Sequence, residues 1–268
     1  MLYLQETKLQ ALVIYALFIG HWYSSLFSQT FFLHRYSAHH MFSMNKFWEK
    51  FFYFFTYLTQ GSSFLNPRAY AIMHRMHHAY SDTDKDPHSP YNSSNLFTMM
   101  WKTRLLYNEI VKDNADDILD KFKKNIPTWP KLDKIAESHF SRISWGAFYV
   151  IIYVLIISVF ELSGTHPWMY VFLPLHFVIG PIHGAIVNYF GHVLGYQNYD
   201  NHDKSRNTLF WDFLMGGELF QNNHHKYGAR PNFASKWFEI DPTYPIIKML
   251  QWLRIIKIKK EELKAPLT

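Results

Sequence analysis

Three stretches of the chain are long and apolar enough to cross a lipid bilayer. Residues 9–33 contain no Lys, Arg, Asp or Glu, and the same is true of residues 143–160 and 167–190. A helix of about 20 apolar residues spans the roughly 30 Å hydrocarbon core of a bilayer. The pattern therefore predicts transmembrane helices over residues 9–33, 143–163 and 167–190.

A fourth apolar stretch, residues 47–65, is rich in aromatic side chains but is interrupted by charged and polar residues. It separates two histidine clusters, at residues 34–40 and 74–78. If it crossed the membrane, the two clusters would lie on opposite faces and could not share a site. We therefore predict an interfacial or re-entrant helix here. The alternative is an ordinary spanning helix with unrelated histidines on either side.

Lysine and arginine are distributed unevenly along the chain. Lys8 is the only one of the 27 that precedes the first predicted span, and none lies between Arg142 and Lys204. Cationic residues concentrate on the cytoplasmic side of membranes, so residues 66–142 and 192–268 are predicted to form a cytoplasmic cap. The expected fold class is a single all-α integral membrane domain with about three transmembrane helices, an interfacial or re-entrant helix, and this helical cap.

Two further segments have a pattern that predicts their structure. Residues 161–167 join the last two predicted spans without any Lys or Arg, so this turn is predicted to lie on the outer side. In residues 246–264, Ile and Leu recur at helical spacing against Lys and Arg. That pattern predicts an amphipathic basic helix against the protein or the membrane surface.

Composition limits the chemistry that the chain can perform. It has no cysteine, which excludes disulfides, thiolate nucleophiles and cysteine-ligated metal sites, but it has 16 histidines. Any metal site must therefore use nitrogen and oxygen ligands. The net charge of +6 fits anionic phospholipid or an acidic redox partner as well as nucleic acid. We expect membrane lipids and a redox partner, and no nucleic acid.

Histidines and amides recur in four clusters: HRYSAHH at residues 34–40, HRMHH at 74–78, QNNHH at 221–225, and Asn188 with His192 four residues later. The three histidines of HRMHH follow the i, i+3, i+4 spacing and so lie on one helical face. His34 and His39 would lie about 140° apart on an α-helix, and would need other elements to reach one ion. A single histidine pair is more often an ordinary polar contact. Four clusters on one membrane face predict a metal centre.

The number of imidazoles indicates which metal the centre binds. Eight or more nitrogen ligands are too many for one ion, since zinc takes four. Two ions sharing them would have four or five ligands each, which suits iron, with copper and zinc as alternatives. Iron with open positions can activate oxygen, and a site at a membrane surface indicates a lipid substrate.

These clusters, with HHAYSDTDKDPH at residues 77–88 and GGELFQNNHHKYGARPNF followed by WFEIDPTY, resemble the membrane fatty acyl desaturases of the acyl-CoA type. The resemblance covers about residues 20–255. It implies two iron ions in the cap, ligated by His34, His39, His74, His77, His78, His192, His224 and His225, with Asn188 reaching one iron through water. The chain departs from the family at Gln221, where histidine is usual, and in having room for only one span before the first cluster.

The resemblance also implies an activity. A fatty acyl chain, linked to coenzyme A or a lipid, would receive a cis double bond, with O2 as co-substrate and electrons from an external ferredoxin or small cytochrome and its reductase. The site would face the cytoplasm, in a bacterial inner membrane. The alternative on the same iron site is a lipid, carotenoid or alkane hydroxylase. A different class is a membrane metal-binding or transport protein with histidines as a relay.

Other residues have possible supporting roles. Asp82, Asp84, Asp86 and His88 in the segment after the second cluster, and Glu218 before the third, could orient ligand imidazoles. The alternative for the first four is a solvated turn. Arg68, Arg75 and Arg230 could hold a phosphate-bearing carrier, and Trp22, Phe27 and Phe31 could line an acyl tunnel. Surface charge and lipid-facing packing are the respective alternatives.

Overall fold

The computed structural model describes residues 2–114, 118, 120–159 and 167–258. Most of this part is helical. The α-helices are α1 (Leu2–Phe27), α2 (Lys46–Gln60), α3 (Pro67–Tyr80), α4 (Leu96–Val111), α5 (Pro130–Ala136), α6 (His139–Val159), α7 (Leu173–Phe177), α8 (Ile179–Val193), α9 (Gln221–Lys226) and α10 (Thr243–Trp252). A π-helix, Ser28–Ala38, continues α1, and two short strands, β1 (Phe42–Met44) and β2 (Ile256–Ile258), complete these elements.

One helix within the described ranges, His139–Ser158 of α6, is by itself long and apolar enough to cross a membrane. A second candidate is a broken one, because Tyr170–Phe177 and Ile179–Val193 qualify only together and meet at 81°. Pro181 explains the break, because it has no backbone N–H to donate to the carbonyl of residue 177 and its ring clashes with that carbonyl. The predicted count of three spans stays a prediction, and most of the predicted outer turn, 161–166, lies outside the described residues.

Helix α2 exposes an apolar stripe made of Phe47, Phe51, Phe54 and Leu58. Its buried side is mixed: Phe52 and Tyr53 are buried there beside Glu49, two threonines and Gln60. An exposed apolar stripe fits a helix whose outer face contacts lipid. Gly61, the residue after the helix, has φ +51°, and a Cβ there would overlap the hydroxyl of Tyr149 on α6. Glycine is therefore required at this turn.

The C-terminal segment differs from the predicted amphipathic helix. Helix α10 ends at Trp252, and Arg254 takes a left-handed conformation with φ +59°. Residues 256–258 then pair with 42–44 as an antiparallel ladder in which Phe42 lies opposite Ile258. The prediction of a helix over 246–264 is wrong for these residues, because Ile256 and Ile258 alternate with an exposed lysine and fill the core as a strand does. Residues 259–264 lie outside the described residues.

The largest buried core surrounds the π-helix. Phe31, Phe32 and Phe42 pack there with Tyr53 from α2 and with Phe220 beside α9. Every residue of the π-helix is buried. This core joins the segment carrying the first histidine cluster to the one carrying the third, so the packing that holds the fold together also brings the clusters to one place.

Candidate metal centre

The π-helix explains how His34 and His39 share a site. A π-helix closes its hydrogen bonds between residues i and i+5, so residues five apart return to about the same face. The two rings lie 5.1 Å apart between centroids. The backbone N–H of His39, which ends the π-helix, donates to the carbonyl of His34 at 3.2 Å. The prediction that these rings diverge by 140° assumed an α-helix, and it is wrong for that reason.

Five imidazoles converge in one group: His34, His39, His74, His78 and His224. The Nε2 atoms of His39 and His74 are 2.7 Å apart, and the Nε2 of His224 is 2.9 Å from those of His34 and His78. Neighbouring nitrogen ligands bound at about 2.1 Å to one ion would lie roughly 3 Å apart. The first, second and third clusters therefore meet as a set of donors that fits a single metal ion.

Three more imidazoles, from His77, His192 and His225, form an adjacent group. Their Nε2 atoms are buried and have no hydrogen-bond partner. Each Nδ1 is instead held by a carboxylate: His77 donates to Asp86 at 2.9 Å, His192 to Asp82 at 3.0 Å and His225 to Asp203 at 2.6 Å. This arrangement fixes the tautomer and leaves each Nε2 lone pair free for a metal.

The two groups share helix α3. Its three histidines lie on one face, as the i, i+3, i+4 spacing predicts. His74 and His78 nevertheless belong to the five-imidazole group, and His77 belongs to the three-imidazole group. Asn66 caps the helix by accepting hydrogen bonds from the N–H groups of Arg68 and Ala69. One short helix thus supplies ligand candidates to both groups.

The fourth carboxylate, Glu218, supports His34 within a buried network. It accepts hydrogen bonds from His34 Nδ1, from Thr30 and, at 3.0 Å, from Arg35. Burial alone would raise the pKa of Glu218, but His34, Arg35 and Thr30 hold it below its ordinary value. Arg35 also donates to Asp241 at 2.8 Å. Glu218 is therefore a fixed anion behind the five-imidazole group.

The electrostatics keep five of the rings neutral, as metal ligands must be. Burial lowers the pKa of the following rings well below 6.5, and neighbouring imidazoles lower it further: His39, His74, His77, His78 and His224. Burial would raise the pKa of Asp82, but its hydrogen bond from His192 brings it down to about 2. That carboxylate is ionised at neutral pH.

Three other residues near the ligand candidates have distinct environments. The amide of Asn188 makes no hydrogen bond within the described part of the chain and is half-buried, one helical turn before His192. Gln221 donates from Nε2 to the carbonyl of Glu218 at 2.8 Å and packs against Gly191. His88 is buried with both ring nitrogens unpartnered and its ring is 4.6 Å from that of His77. No hydrogen bond joins the His88 and His77 rings.

The three arginines proposed for a phosphate-bearing carrier are already engaged by the protein. Arg68 pairs with Asp113 at 2.5 Å. Arg75 donates to the main-chain carbonyls of residues 37, 38, 122 and 124. Arg230 is buried and donates to the carbonyl of Ala234. Their guanidinium groups therefore join segments of the chain, and a role in holding a carrier stays a prediction.

Of the predicted tunnel residues, Phe27 and Phe31 belong to the main core, whereas Trp22 contacts the segment before α9. Phe27 and Phe31 stack at 5.0 Å between centroids, and Phe31 is fully buried in the core. Trp22 donates to the carbonyl of Leu214 at 3.2 Å. A cavity of about 380 Å³ lies elsewhere, between α1, α2, α6 and the segment before α8, and its lining includes none of the three. It is lined by apolar residues together with histidines and tyrosines such as His21 and Tyr149.

Sequence reasoning missed Asp203 altogether. It lies in the irregular connection between α8 and α9, where no periodicity indicates which side chains face inward. Its role depends on a contact with His225, 22 residues later. Arg35 was also missed, because an arginine with no exposed surface is unusual and nothing in its neighbours indicates burial.

Comparison with known proteins identifies the family of the chain. The family model for fatty acid desaturase matches residues 9–247. Acyl-CoA 5-desaturase AL21 of Anemone leveillei is 28% identical over 242 residues, 88% of this chain and 69% of that protein. An sn-1 stearoyl-lipid 9-desaturase of Synechocystis sp. is 30% identical over 234 residues, 84% of this chain and 64% of that protein. The resemblance is confirmed: the chain belongs to the fatty acid desaturase family and is a fatty acyl desaturase.

Proposed function

We propose that this desaturase introduces a cis double bond into a fatty acyl chain at a pair of iron ions held by the two imidazole groups. The observation that carries the proposal is the set of Nε2 atoms, buried and convergent, whose rings are fixed from behind. One ion would be held by His34, His39, His74, His78 and His224. The other would be held by His77, His192 and His225, with Asn188 through water and Gln221 as a further candidate.

Bound iron would supply the oxidising chemistry, in which O2, two electrons and two protons take two hydrogens from adjacent methylenes and yield two waters. The chain's own residues hold the donors in place. Glu218, Asp82, Asp86 and Asp203 fix the Nδ1–H of their imidazoles, which keeps each Nε2 directed at the site. An unactivated C–H bond develops little charge to stabilise, so selectivity depends on positioning of the acyl chain.

The substrate carrier and the electron source belong to the proposal as well. Similar proteins are named for acyl-CoA and for stearoyl-lipid, so we propose an acyl-CoA or lipid-linked substrate. The chain has no cysteine, so its residues cannot hold an iron–sulfur cluster. A separate ferredoxin or small cytochrome with its reductase would deliver the electrons. The distribution of Lys and Arg supports a site on the cytoplasmic side.

The test is expression in a host that lacks unsaturated fatty acids, supplied with a working ferredoxin and reductase, followed by mass spectrometry of the acyl chains. The wild type should yield chains lighter by two hydrogens. His192→Ala should yield none. His202→Ala is the matched control, because His202 is almost fully exposed and should leave the product unchanged. Chains that gain oxygen would indicate a hydroxylase, and an unchanged profile from iron-loaded protein would contradict desaturation.

A further inference from the structure

The carboxylates behind the imidazoles are divided unequally between the two groups. Each ring of the three-imidazole group donates from Nδ1 to its own carboxylate, Asp86, Asp82 or Asp203, at 2.6–3.0 Å. Among the described residues, only one ring of the five-imidazole group, His34, has such a partner. The group with fewer imidazoles therefore has more anions.

These carboxylates also differ in what neutralises them. Glu218, behind His34, forms an ion pair with Arg35 at 3.0 Å. No lysine or arginine in the described part of the chain forms an ion pair with Asp82, Asp86 or Asp203. Their remaining hydrogen-bond donors are main-chain N–H groups and serine hydroxyls, which carry no charge.

The three carboxylates are buried, and hydrogen bonds join the segments that carry them. Their side chains are 0%, 4% and 8% exposed for Asp86, Asp82 and Asp203, so solvent screens them poorly. Asp82, in a left-handed conformation with φ +58°, also accepts a hydrogen bond from the main-chain N–H of Lys204, the residue after Asp203. The turn after α3 and the connection before α9 thus form one anionic wall behind the three rings.

We propose that Asp82, Asp86 and Asp203 make the two metal positions electronically unequal, so that the ion in the three-imidazole group is the harder of the two to reduce. A carboxylate that accepts Nδ1–H makes the imidazole a stronger donor, and a poorly screened anion stabilises the higher charge of the ferric ion. Both effects act mainly on the three-imidazole group. The inference rests on the proposed iron pair, and it assigns Asp82 and Asp203 as positioning residues.

The experiment is a reductive titration of iron-loaded protein with dithionite, followed by Mössbauer spectroscopy of protein loaded with ⁵⁷Fe. The wild type should show two iron environments that are reduced at separate potentials. Asp203→Asn keeps the size of the side chain and removes its charge. It should shift the lower potential upward and alter one Mössbauer component while leaving the other unchanged. Asp82→Asn should do the same to the same component.

Two control variants sharpen the assignment. Glu218→Gln should alter the other Mössbauer component, since Glu218 supports the five-imidazole group. Asp200→Asn should alter neither, because Asp200 is a largely exposed carboxylate in the same connection as Asp203. A structural defect alone would not select one component in this way.

The outcomes separate this inference from the proposed function. Wild-type protein that holds no pair of irons would overturn both. Two irons reduced at a single potential would overturn the inequality and leave the iron pair standing, even if the variants fail to fold. The inequality would also be overturned if Asp203→Asn and Asp82→Asn left both potentials unchanged or shifted both components equally.

Discussion

At the scale of single residues, the site depends on groups that do not themselves face the metal positions. Gly191 is one of them. A Cβ at this position would lie 2.5 Å from Cγ of Gln221, which is too short for a contact between two carbon atoms that are not bonded. The absence of a side chain therefore lets α8, which carries His192, pack against α9, which carries His224 and His225.

Replacing Gly191 with alanine should cost about 1–3 kcal/mol, because the new methyl group overpacks the contact with Gln221. Alanine's helix propensity offsets about 1 kcal/mol of this, so we expect a net loss of up to about 2 kcal/mol. The free energy of unfolding in detergent measures it. Adding Gln221→Ala should restore most of the loss. Gly20→Ala is the control, since nothing lies within 4 Å of its added Cβ. Equal effects of the two glycine variants would contradict this account.

Arg35 is the second residue on which the site depends. It is fully buried and bonds Glu218 at 3.0 Å and Asp241 at 2.8 Å. Arg35→Met should lower the free energy of unfolding by about 3–5 kcal/mol, because it leaves buried carboxylates unpaired. Lys46→Met is the control: Lys46 pairs with Glu49 but is 85% exposed, so its loss should cost less than about 1 kcal/mol. A loss of that small size for Arg35→Met would show that the network is dispensable.

At the scale of elements, the sequence indicated which residues belong to the site better than it indicated their geometry. The spacing of His74, His77 and His78 predicts one helical face, and α3 provides it. The sequence did not indicate that the face is shared between two groups, because that depends on what packs against each ring. The π-helix was also hidden, since a change from i+4 to i+5 hydrogen bonding has no signature in residue types.

Helix α3 also provides a test at this scale. Asn66→Ala removes the cap of α3 and the hydrogen bond from the Asn66 amide to Glu137, and should lower the free energy of unfolding by at least about 1 kcal/mol. It should also weaken iron binding, because α3 carries three ligand candidates. Asn45→Ala removes the equivalent cap of α2, which carries none, and should cost about 1 kcal/mol at unchanged iron affinity. Iron titration of both proteins measures the difference, and equal affinities would argue against α3 as the shared support.

At the scale of the whole molecule, the sequence predicted that distant clusters meet at one site, and the structure brings them together. The side of the membrane on which they meet stays a prediction. What could not be predicted depends on long-range contacts. Asp203 is recognisable only once the connection before α9 folds over His225. The pairing of residues 256–258 with 42–44 joins segments more than 200 residues apart, and a short apolar run at a chain's end does not specify its partner.

The whole cluster should make the stability of metal-free protein dependent on pH. In the folded state the pKa of five buried rings lies well below 6.5, whereas the unfolded chain titrates near that value. Below about pH 6.5 the unfolded chain therefore binds protons that the folded protein excludes, and the free energy of unfolding should fall as pH decreases. Above that pH these rings should contribute no pH dependence.

Thermal unfolding of metal-free protein between about pH 8 and pH 5 measures this effect. The midpoint should be level at the alkaline end and fall at the acidic end. A variant with His78 and His224 replaced by phenylalanine should show a shallower fall, since two titrating rings are gone. A midpoint that rises on acidification would mean that the rings are charged in the folded protein.

Anomalous X-ray scattering locates iron in a crystal and therefore shows whether the two groups of imidazoles hold two irons. Difference maps would be calculated from crystals of iron-loaded protein, with data collected on both sides of the iron absorption edge. We expect two iron peaks, one contacting Nε2 atoms of the five-imidazole group and one contacting those of His77, His192 and His225. A single peak, or peaks away from these rings, would contradict it.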